Sequence, residues 1–112
     1  MNTTLPTYYD GVDQVTDEMA NDLFVAAIEG GINYWGQVER YMPGSELSSA
    51  YVIDLEQMRP YYVQSNLKNW KRAIVLAAKE FNMTIADFYE DHDANSGDAA
   101  MQIYCFKEIV YS

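Results

Sequence analysis

The chain has 112 residues, of which 49% are apolar, and its seven Lys/Arg against seventeen Asp/Glu give a formal net charge of −10. That apolar share excludes a disordered chain, and the charge excludes a general grip on nucleic-acid phosphates or anionic lipid. A single cysteine, Cys105, excludes an internal disulfide and a thiolate zinc cage.

No apolar run approaches the roughly 20 residues of a membrane span, and the polar start does not read as a signal peptide, so no membrane partner and a reducing cytoplasm are expected. No internal repeat or linker interrupts the chain, so residues 1–112 are read as one α+β domain. Residues 1–12 read as an irregular arm. A helix then starts near Asp13 to Thr16 and buries Val15, Met19, Ala20, Leu23, Phe24, Ala27 and Ile28 at helical spacing. Gly30-Gly31 is expected to end it through a left-handed cap.

Two or three antiparallel strands follow, one over residues 50–55, with Gly36 as a bulge. Pro60 argues against a regular central element at that point. A second amphipathic helix is capped by Ser65 or Asn66 and runs to about Phe81, presenting Leu67, Trp70, Ile74, Ala77, Ala78 and Phe81, with Asn82 as its C-terminal cap. Thr84 with Asp87 resembles a capping box and opens a short helix. A loop from Asp91 to Gly97 precedes a last helix that begins at Ser96 or Asp98, and residues 109–111 read as extended.

The charge is uneven. Residues 1–58 carry a net −9 and residues 59–112 a net −1. On the first helix, Glu18, Asp22 and Glu29 fall within about 40° of one another at about 100° per residue, over about 16 Å. Lys68, Arg72 and Lys79 repeat those spacings on the second helix with opposite sign. Solvated faces explain both patterns. The sharper reading is an acidic face that docks on a basic surface, either of a sister subunit in a symmetric homodimer or of another protein.

The segment Asp91-His-Asp93-Ala-Asn95-Ser-Gly97-Asp98 opens like a calcium loop, but its sixth position is Ser96 and its twelfth is Gln102, so no metal is assigned. No nucleophile motif, P-loop or second histidine is present, so the chain is read as a non-enzyme without a cofactor. Sixteen aromatic residues, ten of them Tyr, exceed the needs of a small core.

Two segments carry a resemblance: Glu29-Gly-Gly-Ile-Asn-Tyr-Trp35 after an amphipathic helix, and Asp98-Ala-Ala-Met-Gln102 leading to Phe106-Lys-Glu-Ile-Val-Tyr111. The arrangement resembles small uncharacterised proteins of tailed bacteriophages, whose pattern closes on F-G-E-I-V-Y; here Lys107 replaces the glycine. The resemblance implies a phage origin and attaches no activity.

The expected function is a non-enzymatic accessory protein that inhibits a host protein with a basic surface, such as a nucleic-acid-binding defence factor, in the cytoplasm of an infected bacterium. Direct nucleic-acid binding is not expected. The candidate partner-binding carboxylates are Asp13, Asp17, Glu18, Asp22 and Glu29, with Asp87, Glu90, Asp91 and Asp93 as a second patch. The alternative is an oligomer that sequesters a small nucleotide between Tyr34, Trp35 and an arginine among Arg40, Arg59 and Arg72. A structural or assembly role is a third reading.

Overall fold

The helix anticipated near Thr16 forms as α1, Asp17–Ala26, in a computed structural model that describes residues 11–90 and 94–111. Thr16 sits in extended backbone and its hydroxyl accepts the Met19 N–H at 3.1 Å, while Asp17 and Glu18 lie where the helix dipole favours negative charge. Most of the arm read over residues 1–12 lies outside the described residues.

The exit from α1 differs from the expectation. Regular α geometry stops at Ala26, and Ala27–Gly31 form a π-helical turn. The Ile32 N–H reaches back five residues to the Ala27 carbonyl, at 3.2 Å. No glycine takes a positive φ, so Gly30-Gly31 do not make a left-handed cap. Their missing side chains instead ease the departure from α geometry.

Three strands form an antiparallel sheet in the order β1 (Gly36–Met42), β2 (Ser49–Asp54), β3 (Arg59–Gln64). Gly36 pairs regularly with Asp54, so it is not the bulge. The register slips instead between Glu39 and Met42, where Arg40 adopts φ 53° and one extra residue is accommodated. Pro60 does sit in a strand, opposite Ile53, because β3 is an edge and its outer side needs no N–H from that residue.

Helix α2, Lys68–Glu80, starts later than expected. Leu67 holds the N-cap position without a side-chain bond, since Ser65 is buried and its hydroxyl accepts the Ser48 N–H. Its end follows the expectation. Asn82 has φ 57°, its N–H bonds the Lys79 carbonyl and the Met83 N–H bonds Ala78, the paired bonds of a left-handed helix stop. Phe81, assigned to the buried face, is 46% exposed. Thr84 caps α3 (Ile85–Glu90) by accepting the Asp87 N–H at 3.0 Å.

Helix α4, Ala94–Phe106, begins before both predicted starts and takes in Asn95 to Asp98. Those residues are therefore helical and cannot wrap a cation as a calcium loop does. Asp91, His92 and Asp93 lie outside the described residues.

The reason for the early start is packing. A Cβ on Gly97 would stand 2.6 Å from the Ala27 nitrogen and 2.9 Å from the Leu23 carbonyl oxygen, so α4 crosses α1 backbone to backbone. Buried residues run through α4 from Ala99 to Cys105, as suits a helix enclosed on several sides. Trp70 of α2, fully buried, donates to the Ala20 carbonyl at 2.9 Å and meets Phe24 edge to face. On the sheet side, Phe106 packs against Tyr61, and the Tyr104 hydroxyl donates to the Tyr62 carbonyl on the β3 edge at 2.7 Å. Residues 109–111 form no strand. The result is an α+β domain.

Candidate functional site

Asp98 stands at the centre of a polar knot that the fold assembles from three distant pieces of chain. The turn after the π-helix delivers Tyr34 and Trp35, α4 delivers Asp98 and Gln102 one turn apart, and the tail after α4 delivers Tyr111. Trp35 Nε1 donates to Asp98 Oδ1 at 2.7 Å, and the Tyr34 hydroxyl donates to Oδ2 at 2.6 Å. Gln102, 1% exposed, uses both ends of its amide. Its Oε1 accepts the backbone N–H of Val110 and Tyr111, at 2.8 and 2.7 Å. Its Nε2 donates to Asp98 Oδ1, the Tyr111 carbonyl and the Tyr34 oxygen.

The Tyr111 ring then stacks on Trp35, with centroids 5.8 Å apart and planes at 13°. Its hydroxyl donates to Asp54, a carboxylate only 1% exposed that also accepts the Glu56 N–H. Asp54 Oδ2 is buried with no hydrogen-bond partner among the described residues. The segments Glu29–Trp35 and Asp98–Tyr111 thus meet in one place. Beside them opens a cavity of about 390 Å³.

Burial, with Asp98 as acceptor and as charge, pushes the Tyr34 phenol up to about 12. Desolvation, then Asp54 and Glu56, do the same to Tyr111. Burial also lifts the Cys105 thiol to about 12, with Asp54 adding to it, so the thiol is a packed apolar group rather than a nucleophile.

The acidic residues of α1 sit in varied surroundings. Asp17 is neutralised by Lys71, whose Nζ lies 2.6 Å from Oδ1. Asp22 accepts the Tyr89 hydroxyl at 2.7 Å, and Glu29 accepts the Tyr41 hydroxyl at 3.0 Å. Asp13 and Glu18 are exposed. The bond to Asp22, together with desolvation and the nearby charges of Asp22 and Glu18, holds the Tyr89 phenol at about 12. Burial first, then Glu29, raises Tyr41 equally.

Tyr89 belongs to α3, which also carries the exposed Asp87 and Glu90. Its hydroxyl therefore ties the second acidic patch to the first. Glu29 rides on the π-helical turn, so the regular spacing that aligned it with Glu18 and Asp22 ends at Ala26. Asp91 and Asp93 are outside the described residues.

Trp35, a candidate stacking residue, is 3% exposed and already covered by Tyr111. Tyr34 is 53% exposed, but among the described residues no arginine lines its cavity. Arg40 lines a separate depression with Glu39, Tyr51, Ile53 and Pro60. Arg59 pairs with Asp54 in the sheet register, and Arg72 lies on α2.

Sequence reasoning missed Asp98 and Gln102 as the centre of the knot, and Tyr41, Tyr89 and Tyr111 as partners of carboxylates. The surplus of tyrosines over core needs was the one signal for the latter. Among the described residues, no group of three or more His, Cys, Asp or Glu side chains is placed to hold a metal ion, and no helix is long and apolar enough to cross a membrane. No protein-family model, curated protein or solved structure matches this chain.

Proposed function

We propose that the protein is a non-enzymatic binding protein that sets an acidic face against a basic surface of another protein, acting as a charge mimic of DNA on a nucleic-acid-binding host factor in a phage-infected cell. The reading is supported above all by the hydrogen bond from Tyr89 to Asp22. It joins the acids of α1 and α3, and it orients a carboxylate with a neutral donor. A lysine in that place would cancel the charge; a phenol leaves it available to a partner's cations while removing side-chain freedom before binding. The Tyr41–Glu29 bond does the same on the π-helical turn.

The test is displacement of a fluorescent 20-base-pair duplex from a small basic DNA-binding protein, followed by anisotropy. The wild-type protein is expected to release the duplex with an affinity that falls as salt rises. A Glu18→Gln, Asp22→Asn, Glu29→Gln triple variant with unchanged circular dichroism is expected to lose about tenfold or more, at roughly 0.5 kcal/mol per rim charge. Equal displacement by both proteins, or none by the wild type across several basic targets, refutes the reading.

A further inference from the structure

The cavity beside the knot has a chemistry of its own. Among the described residues its walls are Tyr34 from the turn, Phe81 from the end of α2, Asp98 and Gln102 from α4, and Ile109 and Tyr111 from the tail, with Asn95 and Ala99 completing the side that α4 presents. Three aromatic residues and one acidic residue therefore border one space. No Lys or Arg among the described residues lines it. Asp98 is held by three donors, the Trp35 indole, the Tyr34 hydroxyl and the Gln102 amide, all of them neutral. They fix where the carboxylate points and fill three of its roughly four acceptor sites, yet leave its charge uncompensated.

We propose that this cavity binds a small organic ammonium ion. An anion is repelled by Asp98. A divalent metal would find a single carboxylate, with only the neutral oxygens of Tyr34, Asn95 and Gln102 beside it, short of the six or more oxygens that calcium takes. A neutral apolar molecule would strip water from a carboxylate and return nothing to it. An ammonium carried on an apolar body satisfies each wall: its charge meets Asp98 and the negative ring systems, and its carbon meets Phe81 and Ile109. A volume of about 390 Å³ lies at the small end of the range for such sites. The same chemistry is offered by a free amine or by a lysine side chain, and the site is independent of the acidic face of α1 and α3.

The chain reports on its own site. It has two tryptophans. The Trp35 indole N–H is bonded to Asp98 and that of Trp70 to the Ala20 carbonyl in the core. In a ¹H–¹⁵N spectrum of the full chain, benzyltrimethylammonium is expected to shift the Trp35 indole peak saturably and leave the Trp70 peak in place. Benzyl alcohol, the neutral probe, is expected to bind at least tenfold more weakly.

Phe81→Ala, at an exposed position, is expected to weaken the ammonium about two- to fivefold. Asp98→Asn is expected to weaken it tenfold or more; if that variant does not fold, Phe81→Ala and the neutral probe still decide. Titration with Nα-acetyl-lysine methylamide separates the sources: binding as tight as that of benzyltrimethylammonium assigns the site to a lysine side chain, weaker binding to a small free ammonium ion. The proposal is overturned by equal binding of benzyl alcohol, by an unchanged affinity in Phe81→Ala or in folded Asp98→Asn, or by no saturable shift at tens of millimolar.

Discussion

Replacing Gln102 by glutamate exchanges one NH₂ for an oxygen, and the geometry of the knot makes that exchange pH-dependent. The orientation of the amide is fixed by its partners: two backbone N–H groups point at Oε1, so the other terminus must face Asp98 Oδ1 at 2.9 Å and the Tyr111 carbonyl at 3.1 Å. With Gln102→Glu, two carboxyls share that space. At about 4 Å between charge centres and an effective dielectric of about 20, their repulsion is about 4 kcal/mol. That raises the pair's upper pKa about three units above the free value of about 4.3, to about 7.

A carboxyl whose folded pKa is raised costs nothing below its unfolded pKa, where it is protonated in both states. Stability is then lost as pH climbs from about 4 to about 7, at about 1.4 kcal/mol per unit. Measured by urea unfolding against wild type at each pH, the loss is expected to be about 1 kcal/mol at pH 5 and about 4 kcal/mol at pH 8. Gln102→Met has no such titration and is expected to lose about 3 kcal/mol at both, from the hydrogen bonds and the freed tail. Equal losses for Gln102→Glu at pH 5 and pH 8 would refute the placement of the amide nitrogen against Asp98.

Gly97→Ala forces a methyl group against the backbone of Ala27 and Leu23, where neither helix can yield by a rotamer change, and is expected to destabilise the fold by about 3 kcal/mol in the same urea assay. Gly30→Ala is the control: nothing lies within 4 Å of its Cβ and its φ is not positive, so the expected change is within about 1 kcal/mol of wild type, on the stabilising side. Absorbance at 295 nm tests the phenols. Tyr34, Tyr41, Tyr89 and Tyr111 are each raised to about 12, so native protein at pH 11 is expected to show these four still protonated. Their folded pKa values exceed the unfolded value of about 10, so the stability they carry is complete below pH 10 and fades as pH rises towards 12. Ionisation of all ten tyrosines near pH 10 by a protein that remains folded would refute these hydrogen bonds.

What sequence conveyed well was what local chemistry decides. Thr16, Asn82 and Thr84 are capping residues whose effect is confined to one turn, and each acts where its neighbours predict. Spacing also found the buried side of α2, because Trp70, Ile74, Ala77 and Ala78 need only a helix and a core. The start of α4 was misread because Asp91 to Gly97 has the composition of a loop. The missing term was the α1 backbone, on which Gly97 packs across some 70 residues of chain. Gln102 gave no signal at all. A glutamine in a helix reads as surface, and the groups that make it a core residue are a tail 8 and 9 residues later and a turn 68 residues earlier.

The tail is what turns the knot into a site. Helix α4 ends at Phe106, and Lys107 takes φ 70°, a left-handed position that costs a lysine more than it would a glycine. That turn sends residues 108–111 back along α4, where Gln102 fastens Val110 and Tyr111 and where Ile109 and Tyr111 become two walls of the cavity. Gln102 thus holds the backbone of the tail, beside the Trp35 stack and the Asp54 bond that hold the Tyr111 side chain, whereas the bonds Tyr89–Asp22 and Tyr41–Glu29 on the acidic surface involve none of these residues. Gln102→Met accordingly separates the two sites. A variant that keeps its acidic face and displaces DNA, yet takes up an ammonium more weakly, is the result this connectivity predicts; loss of both together would mean that the knot supports α1 and α3 as well as the tail.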